Sequence, residues 1–357
     1  MSAGITSFSH AMRDAGLRRL LDRDGDLTTC AKWAELWHQS FGQEDDLLVV
    51  GDEAALALTR ERRMGARVLR SFTNGHSQRA LAGRPGTDGA FSLLSALAAR
   101  PGWEMLHLQG LSAEWRDDFV AAGAELGLSV ACECQSPRWL ARLGKEPQTY
   151  LASRSPSTFG RKAQLQRAFL KQCDAEFGAE DACSGLSEYL AAERASWKAQ
   201  RGELLSATPR IERFYRLATQ TDFGDGGRAW MVSVRDRGRM VAGMIWLRDG
   251  AQAVALKAFY DEDYRKYSLG FLLLRHAIAG LIDEGFSGRV DFYSGAAAYA
   301  PFATESRDYA DLVIWARSPR ARAARQIRDA LHRGRLALRA RGQGDGATLS
   351  RELRDRG

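Results

Sequence analysis

The chain has no long apolar run. Nothing in it approaches eighteen consecutive apolar residues, which excludes a membrane-spanning helix from the reading. Its start, MSAGITSFSHAMRDAGLRRLLDRDG, lacks the unbroken apolar centre of a signal peptide, so a cytoplasmic location is expected. Cysteine is scarce and odd in number, five in 357 residues, which argues against a disulfide framework and for reduced thiols. Cys132 and Cys134 fall on one face of a predicted strand, but no second cysteine pair completes a zinc site. The six histidines are scattered, none at metal-ligand spacing, and no metal is expected. The Gly-rich stretches 83–89 and 342–346 lack the Lys-Ser/Thr or GxGxxG context of nucleotide loops.

What is present is ordinary for a folded protein: 45% apolar and 27% charged residues. The length favours two domains, each able to bury a full core. The net charge of +7 is unevenly placed. Residues 317–357 hold twelve arginines against four acids, a local +8, which leaves −1 for the first 316 residues. Such a tail is read as the solvated face of a basic helix, with peripheral contact to acidic lipid headgroups as its alternative; no DNA partner is expected.

In order along the chain, residues 1–27 are polar and read as a flexible arm. Thr28 or Thr29 caps a helix with Trp33, Leu36, Trp37 and Phe41 on its apolar face. LLVVG, AALALTRERR and GARVLRSF read as a strand meander, followed by a helix to Ala99, the strand WEMLHLQGL, a helix 113–126 and the strand SVACECQSPRWL. Residues 28–145 thus make one α/β unit without a visible reaction centre.

The segment EPQTYLASRSPSTFG marks a boundary, and residues 146–340 form the second unit. It opens with a basic helix, 160–177, that buries Leu165, Phe169, Cys173 and Phe177 and leaves Arg161, Lys162, Arg167 and Lys171 on its surface. Helices follow at 184–198 and from Pro209, the latter capped by Thr208. RAWMVSVRD, MVAGMIWLRD and AQAVALKAFYD form an antiparallel meander. Next come a short loop, a long apolar helix, a strand through DFYSG, a final strand YADLVIWAR, a helix 319–341 and a disordered tail, 341–357.

Everything turns on residues 260–299. A helix that begins in the loop carrying Arg265, Ser268 and Gly270 aims its free N–H groups and positive dipole end back at that loop, which suits a diphosphate. Meander, loop, crossover helix and strand follow the order of the GNAT acyltransferase fold. Arg265-Lys266-Tyr267-Ser268-Leu269-Gly270 is similar to that family's R/Q-x-x-G-x-G/A acyl-CoA loop, with Ser in place of the first Gly. YLASRS with its basic segment, SWKAQRG, FYDEDYRKYSLG and DFYSGAAAY together resemble the BioF2-like (CelD-like, FemAB-related) acetyltransferases, over roughly residues 145–320. The resemblance implies tandem GNAT-like domains, the first degenerate, each a mixed, mostly antiparallel sheet flanked by helices. One departure stands out: where members often carry Tyr-Lys, this chain has Tyr299-Ala300.

Acyl transfer needs a neutral amine, a polarised thioester and a protonated leaving thiolate. Backbone groups near Ala258 and Tyr260 are candidates to bind the thioester and pantetheine, the loop from Arg265 to Gly270 to hold the diphosphate, Tyr299 to act as acid and Asp291 as base. Asp261 and Lys257 rank lower. Trp197 and Arg201, four apart, are candidates to line the acceptor cleft together with Asp261. The leading function is N-acyl transfer, acetyl above all, from acyl-CoA to a small-molecule amine, with an amino sugar or amino acid of polysaccharide or envelope biosynthesis as the implied acceptor. A FemAB-like transferase using aminoacyl-tRNA, held by the basic segments, is the second reading. A degenerate, non-catalytic binding partner is the third.

Overall fold

The computed structural model describes residues 4–331 apart from 24, 25, 64, 80, 84, 144–146, 155 and 225, so the tail at 341–357 lies outside the described residues. The strands are β1 (Gly4–Ser7), β2 (Leu47–Val50), β3 (Ala54–Arg63), β4 (Ala66–Ser71), β5 (Leu81–Gly83), β6 (Met105–Ser112), β7 (Ser129–Arg142), β8 (Ala175–Asp181), β9 (Arg228–Asp236), β10 (Arg239–Arg248), β11 (Gln252–Tyr260), β12 (Arg289–Asp291) and β13 (Glu305–Trp315). They form one mixed sheet in the order β1-β2-β3-β4-β6-β13-β7-β12-β11-β10-β9-β8, with β5 beside β3.

The two halves repeat one plan. Antiparallel strands lead to a strand that crosses over, through a helix, to a parallel neighbour. In the first half β4 and β6 flank the helix Thr87–Ala98; in the second, β11 and β12 flank the helix Leu269–Asp283. This is the tandem GNAT-like α/β architecture expected. A parallel pair cannot be joined by a tight turn, so each crossover must carry a helix, and the helix start then lies at the open end of the pair.

The halves are interleaved, not merely adjacent. β13, at the end of the second half, inserts between β6 and β7 of the first, and β7 in turn pairs with β12. The 145/146 division is therefore crossed by the sheet itself. One core also spans both halves, with Trp33 and Trp37 packed in the same cluster as Phe214, Tyr215 and Leu186. Trp33 meets Phe214 edge-on at 5.0 Å.

Local differences from the sequence reading have physical causes. Residues 4–21 are not a loose arm: β1 pairs with β2, and Phe8, Ala11, Leu20 and Leu21 are buried. Their apolar residues are too widely spaced to show a period, and caps at Ser7 and Asp14 organise two short helices. The helix Ala31–Phe41 starts at Cys30, whose side chain makes no cap bond; the Ala31 N–H donates to the Asp22 carboxylate at 2.8 Å, while Thr28 bonds to Asp26. The basic helix is Pro156–Gln172, and Phe177 belongs to β8, which pairs with the edge of β9. The 184–198 helix divides into Ala182–Glu193 and Trp197–Arg201, the second capped by Ser196 and ended by left-handed Gly202. Thr208 does cap Pro209–Gln220, accepting from the Ile211 N–H at 3.3 Å.

Candidate functional site

β11 and β12 pair only through Gln252–Arg289, Ala253–Val290 and Val254–Asp291. Beyond these the strands part, and the backbone of β11 from 255 to 260 has no strand partner on that side among the described residues. The divergence has a local cause. Along β10, Ile245 faces Lys257 and Trp246 faces Ala255, so Leu256 is an extra residue, a β-bulge that bends the strand. The bulge also puts consecutive side chains to different use: Leu256 packs in the core, while Lys257 reaches across to the N-terminal half.

The open end of this cleft holds the expected loop. A short 3-10 helix, Glu262–Tyr267, is capped by Asp261 and ends at Ser268, which adopts the left-handed conformation with φ 56° and ψ 47°. That conformation costs an L-residue about 1–2 kcal/mol and glycine almost nothing, which explains why glycine suits this position of the pattern. The helix Leu269–Asp283 then begins with no side-chain cap; the Phe271 N–H bonds to the Ser268 carbonyl at 2.9 Å, which leaves the Leu269 and Gly270 N–H groups without a partner among the described residues. At Gly270 an added Cβ would meet only Tyr260, at 3.7 Å.

Not every loop side chain faces that space. Tyr267 and Leu269 are buried; Tyr267 donates to the Gln172 side chain at 2.5 Å, so these two residues can offer a ligand only backbone. Arg265 and Lys266 are exposed. The cation that enters the loop is Lys162, which donates to the Ser268 hydroxyl at 2.7 Å and lies 5.6 Å from the Phe271 ring centre. Burial, then Arg161, lowers its pKa. Sequence reasoning left Lys162 on the helix surface, since helix phase cannot reveal which neighbour crosses a given face.

Aromatic rings wall the other side. Phe271 packs against Phe159 and Phe302, and Phe292, at the end of β12, stacks on Tyr299 at 5.3 Å and 20°. Tyr299 is half-buried, and burial raises its phenol pKa, which keeps it protonated at neutral pH. It fits the part of a proton donor.

Two expected roles are corrected. Asp291 is fully buried; one carboxylate oxygen bonds to Arg79 and the other accepts from the Tyr293 N–H at 2.7 Å. It cannot take a proton from a substrate without abandoning a buried guanidinium. Asp261 is also buried: it caps the 3-10 helix, accepting from the Asp263 N–H at 3.0 Å, and pairs with Arg239 at 3.0 Å, so it shapes the loop and does not face an acceptor.

Trp197 and Arg201 do stack, with the guanidinium 4.9 Å from the ring centre. Ser196 bridges to Asp261, which brings them to the entrance of the loop. Their segment is held by a buried pair that the sequence reading missed. Glu193 accepts from Lys198 Nζ at 2.8 Å and from the Leu205 N–H at 2.7 Å.

Near this pair stands Lys257, whose Nζ donates to the Gly75 carbonyl at 2.8 Å. Burial, then Lys198, brings its pKa down to about 8, against the pull of Glu193 and Glu203. His76, bonded to the Tyr215 hydroxyl at 3.2 Å, is pushed down to about 3 by burial and then by Lys257 and Lys198. The folded chain thus binds fewer protons at Lys257 than the unfolded chain between pH 8 and the ordinary lysine range near 10.4. Stability contributed by this group rises with pH across that window. Lys257→Met should abolish the rise, seen as the wild-type minus variant difference in urea midpoint at pH 7.5, 9 and 10.

Residues 160–300 match the model of the acetyltransferase (GNAT) domain family. No curated protein sequence matches the chain. Among solved structures, FemX aligns over 88% of this chain and 97% of its own with a TM-score of 0.57 at 11% identity. The C-terminal domain of a protein assigned as lysylphosphatidylglycerol synthetase from Agrobacterium fabrum aligns over 91% and 98%, TM-score 0.53, 13% identity. A conserved protein of unknown function from Bacteroides thetaiotaomicron aligns over 87% and 95%, TM-score 0.53, 12% identity. At these identities the likeness is one of fold. It extends over both halves of the chain. No helix among the described residues is long and apolar enough to cross a membrane, and none of their His, Cys, Asp and Glu form a group able to hold a metal.

Proposed function

We propose that the chain is an N-acyltransferase that takes an acyl group, acetyl in the simplest case, from acyl-CoA and delivers it to a small-molecule amine. The observation that carries this reading is the unpartnered backbone of β11 leading into an uncapped helix start at left-handed Ser268. A phosphopantetheine thioester has two demands, a diphosphate seat and a strand edge for its amides, and this cleft supplies both. The helix N–H groups and Lys162 would hold the diphosphate; the β11 edge near Ala258 and Tyr260 would orient the carbonyl.

In the transfer, the amine nitrogen bonds to the thioester carbon and the carbon–sulfur bond breaks. Tyr299 gives the sulfur a proton. The amine's own proton leaves to solvent on the acceptor side. Trp197 and Arg201, at the entrance, would hold the acceptor, an amino sugar or amino acid of polysaccharide or envelope precursors.

Of the described arginines in the 319–331 helix, Arg328 pairs with Glu133 and lies over Trp315, and Arg325 pairs with Asp329 at 3.6 Å. These contacts favour a packing role over a nucleic-acid or lipid surface. A screen of radiolabelled acetyl-CoA against amino sugars and amino acids tests the proposal. Label transferred to an acceptor, and lost in Tyr299→Phe, is expected; transfer from aminoacyl-tRNA alone would overturn it.

A further inference from the structure

The N-terminal half has its own point of strand divergence. β4 and β6 pair in parallel through Val68–Met105, Leu69–Leu106 and Arg70–His107 and then part, as β11 and β12 do. Here the gap is laced by side chains. The Gln109 N–H donates to the Ser71 hydroxyl at 3.2 Å, and the Thr73 hydroxyl donates to the Gln109 side-chain oxygen at 3.0 Å. That lacing leaves no strand edge for a long thioester arm, but beside it lies a polar cavity of about 160 Å³. Its wall includes Thr73, Asn74, Gln109, Ser136, Arg138 and Asp311. A space of this size holds more than a single water.

Arg138 is the unusual member. It is 7% exposed, and its guanidinium donates to the Gln78 carbonyl at 3.0 Å through Nη2, while Nη1 has no partner among the described residues. It lies 4.3 Å from the Tyr309 ring centre and 5.6 Å from that of Tyr293, rings it shares with Arg79. The nearby carboxylates are committed elsewhere: Asp291 to Arg79, and Asp26 to Arg79 and Arg289. Three guanidiniums therefore meet two carboxylates, and the surplus positive charge falls on Arg138. A buried charge without a counter-ion is costly, and burial together with Arg79 lowers the Arg138 pKa.

A residue of opposite charge, Asp311, also lines the cavity. Asp311 accepts from the Gly110 N–H at 2.9 Å and makes no ion pair among the described residues. Its position is set where both neighbours of β13 slip register: β7 has an extra residue, Glu133, opposite the Asp311–Leu312 step, and β6 has one at Gln109–Gly110. Gly110 has φ +66°, and a Cβ there would come within 1.7 Å of the Gln78 carbonyl, so only glycine lets the 73–79 loop close over this face.

We propose that this cavity binds a small zwitterion, a free amino acid or a ligand ending in one, with its carboxylate on Arg138 and its ammonium group on Asp311. The site is separate from the acyl-CoA cleft, and its binding is measured without any acyl donor. Calorimetric titration of the full chain with the common L-amino acids, propionate, ethylamine and inorganic phosphate tests it.

At least one amino acid is expected to bind, with propionate and ethylamine at least 10-fold weaker. Arg138→Met and Asp311→Asn should each weaken that amino acid by 10-fold or more. Arg138→Met should also match or exceed the wild-type Tm in the absence of ligand, since it removes a buried charge that lacks a counter-ion. The proposal is overturned if no amino acid binds. It is equally overturned if phosphate or propionate binds as well as the best amino acid, with no dependence on Asp311. A large drop in ligand-free Tm for Arg138→Met, with amino-acid binding unaffected by Asp311→Asn, would make Arg138 a structural clamp and sink the assignment.

Discussion

Replacing Gly270 by tryptophan abolishes acyl-CoA binding and leaves the fold intact. The position is not strained, and the nearest atom to an added Cβ, in the Tyr260 ring, is at ordinary contact distance, so a side chain can be accommodated in the empty protein. Its indole would fill the space between the β11 edge and the helix start, where backbone N–H groups must approach a diphosphate directly. Gly270→Ala should weaken binding only modestly, because one methyl group leaves most of that space open. The check is a thermal-shift series with CoA: wild type and the alanine variant shift, the tryptophan variant does not, and all three have similar Tm without ligand. A tryptophan variant that binds CoA normally would remove the diphosphate from this loop.

Replacing Arg79 by methionine should cost about 3–5 kcal/mol of stability at pH 7, the range for breaking a buried ion pair from one side. Arg79 joins the halves by pairing with Asp26 in the N-terminal segment and Asp291 in β12. Burial alone would raise the Asp26 pKa, but Arg79, Arg289 and the bonds from Thr28 bring it below the usual carboxylate range. A carboxylate with a depressed pKa contributes stability that is present above its unfolded pKa and lost as pH falls through the folded one. Without Arg79 that contribution shrinks. The gap between variant and wild type should therefore narrow as pH falls below about 4. Urea denaturation at pH 7 and pH 4 measures both effects. A loss under about 1 kcal/mol at pH 7 would return Asp291 to candidacy as a catalytic base.

The elements that position the cleft were legible because each is a local property of the chain. The meander shows in period-two strands split by turns, the Leu269–Asp283 helix in its mainly apolar composition, and the helix from Pro209 in Thr208 followed by proline. The family loop was legible as a short pattern, and the structure adds that Ser268 takes the left-handed conformation there, which glycine would adopt at less cost. What was hidden depends on distant partners. Asp291 reads as a free carboxylate at a strand end, and nothing local announces Arg79, 212 residues away. Lys162 reads as one of four basic residues on a helix surface until the helix is seen to cross the loop. β13 was found as a strand, but its place between β6 and β7 is a matter of topology, on which its own residues are silent. Arg138 lies in a strand whose residues 131–137 are exposed, so its burial is invisible before the 73–79 loop is placed over it.

The most direct test of the central claim is a calorimetric titration of the wild-type chain with acetyl-CoA and, separately, with deacylated tRNA at two salt concentrations. Saturable one-to-one binding of acetyl-CoA that is lost in Gly270→Trp, with no tight tRNA complex, is the predicted result. No heat with acetyl-CoA, or tight salt-sensitive binding of tRNA in its place, would contradict it.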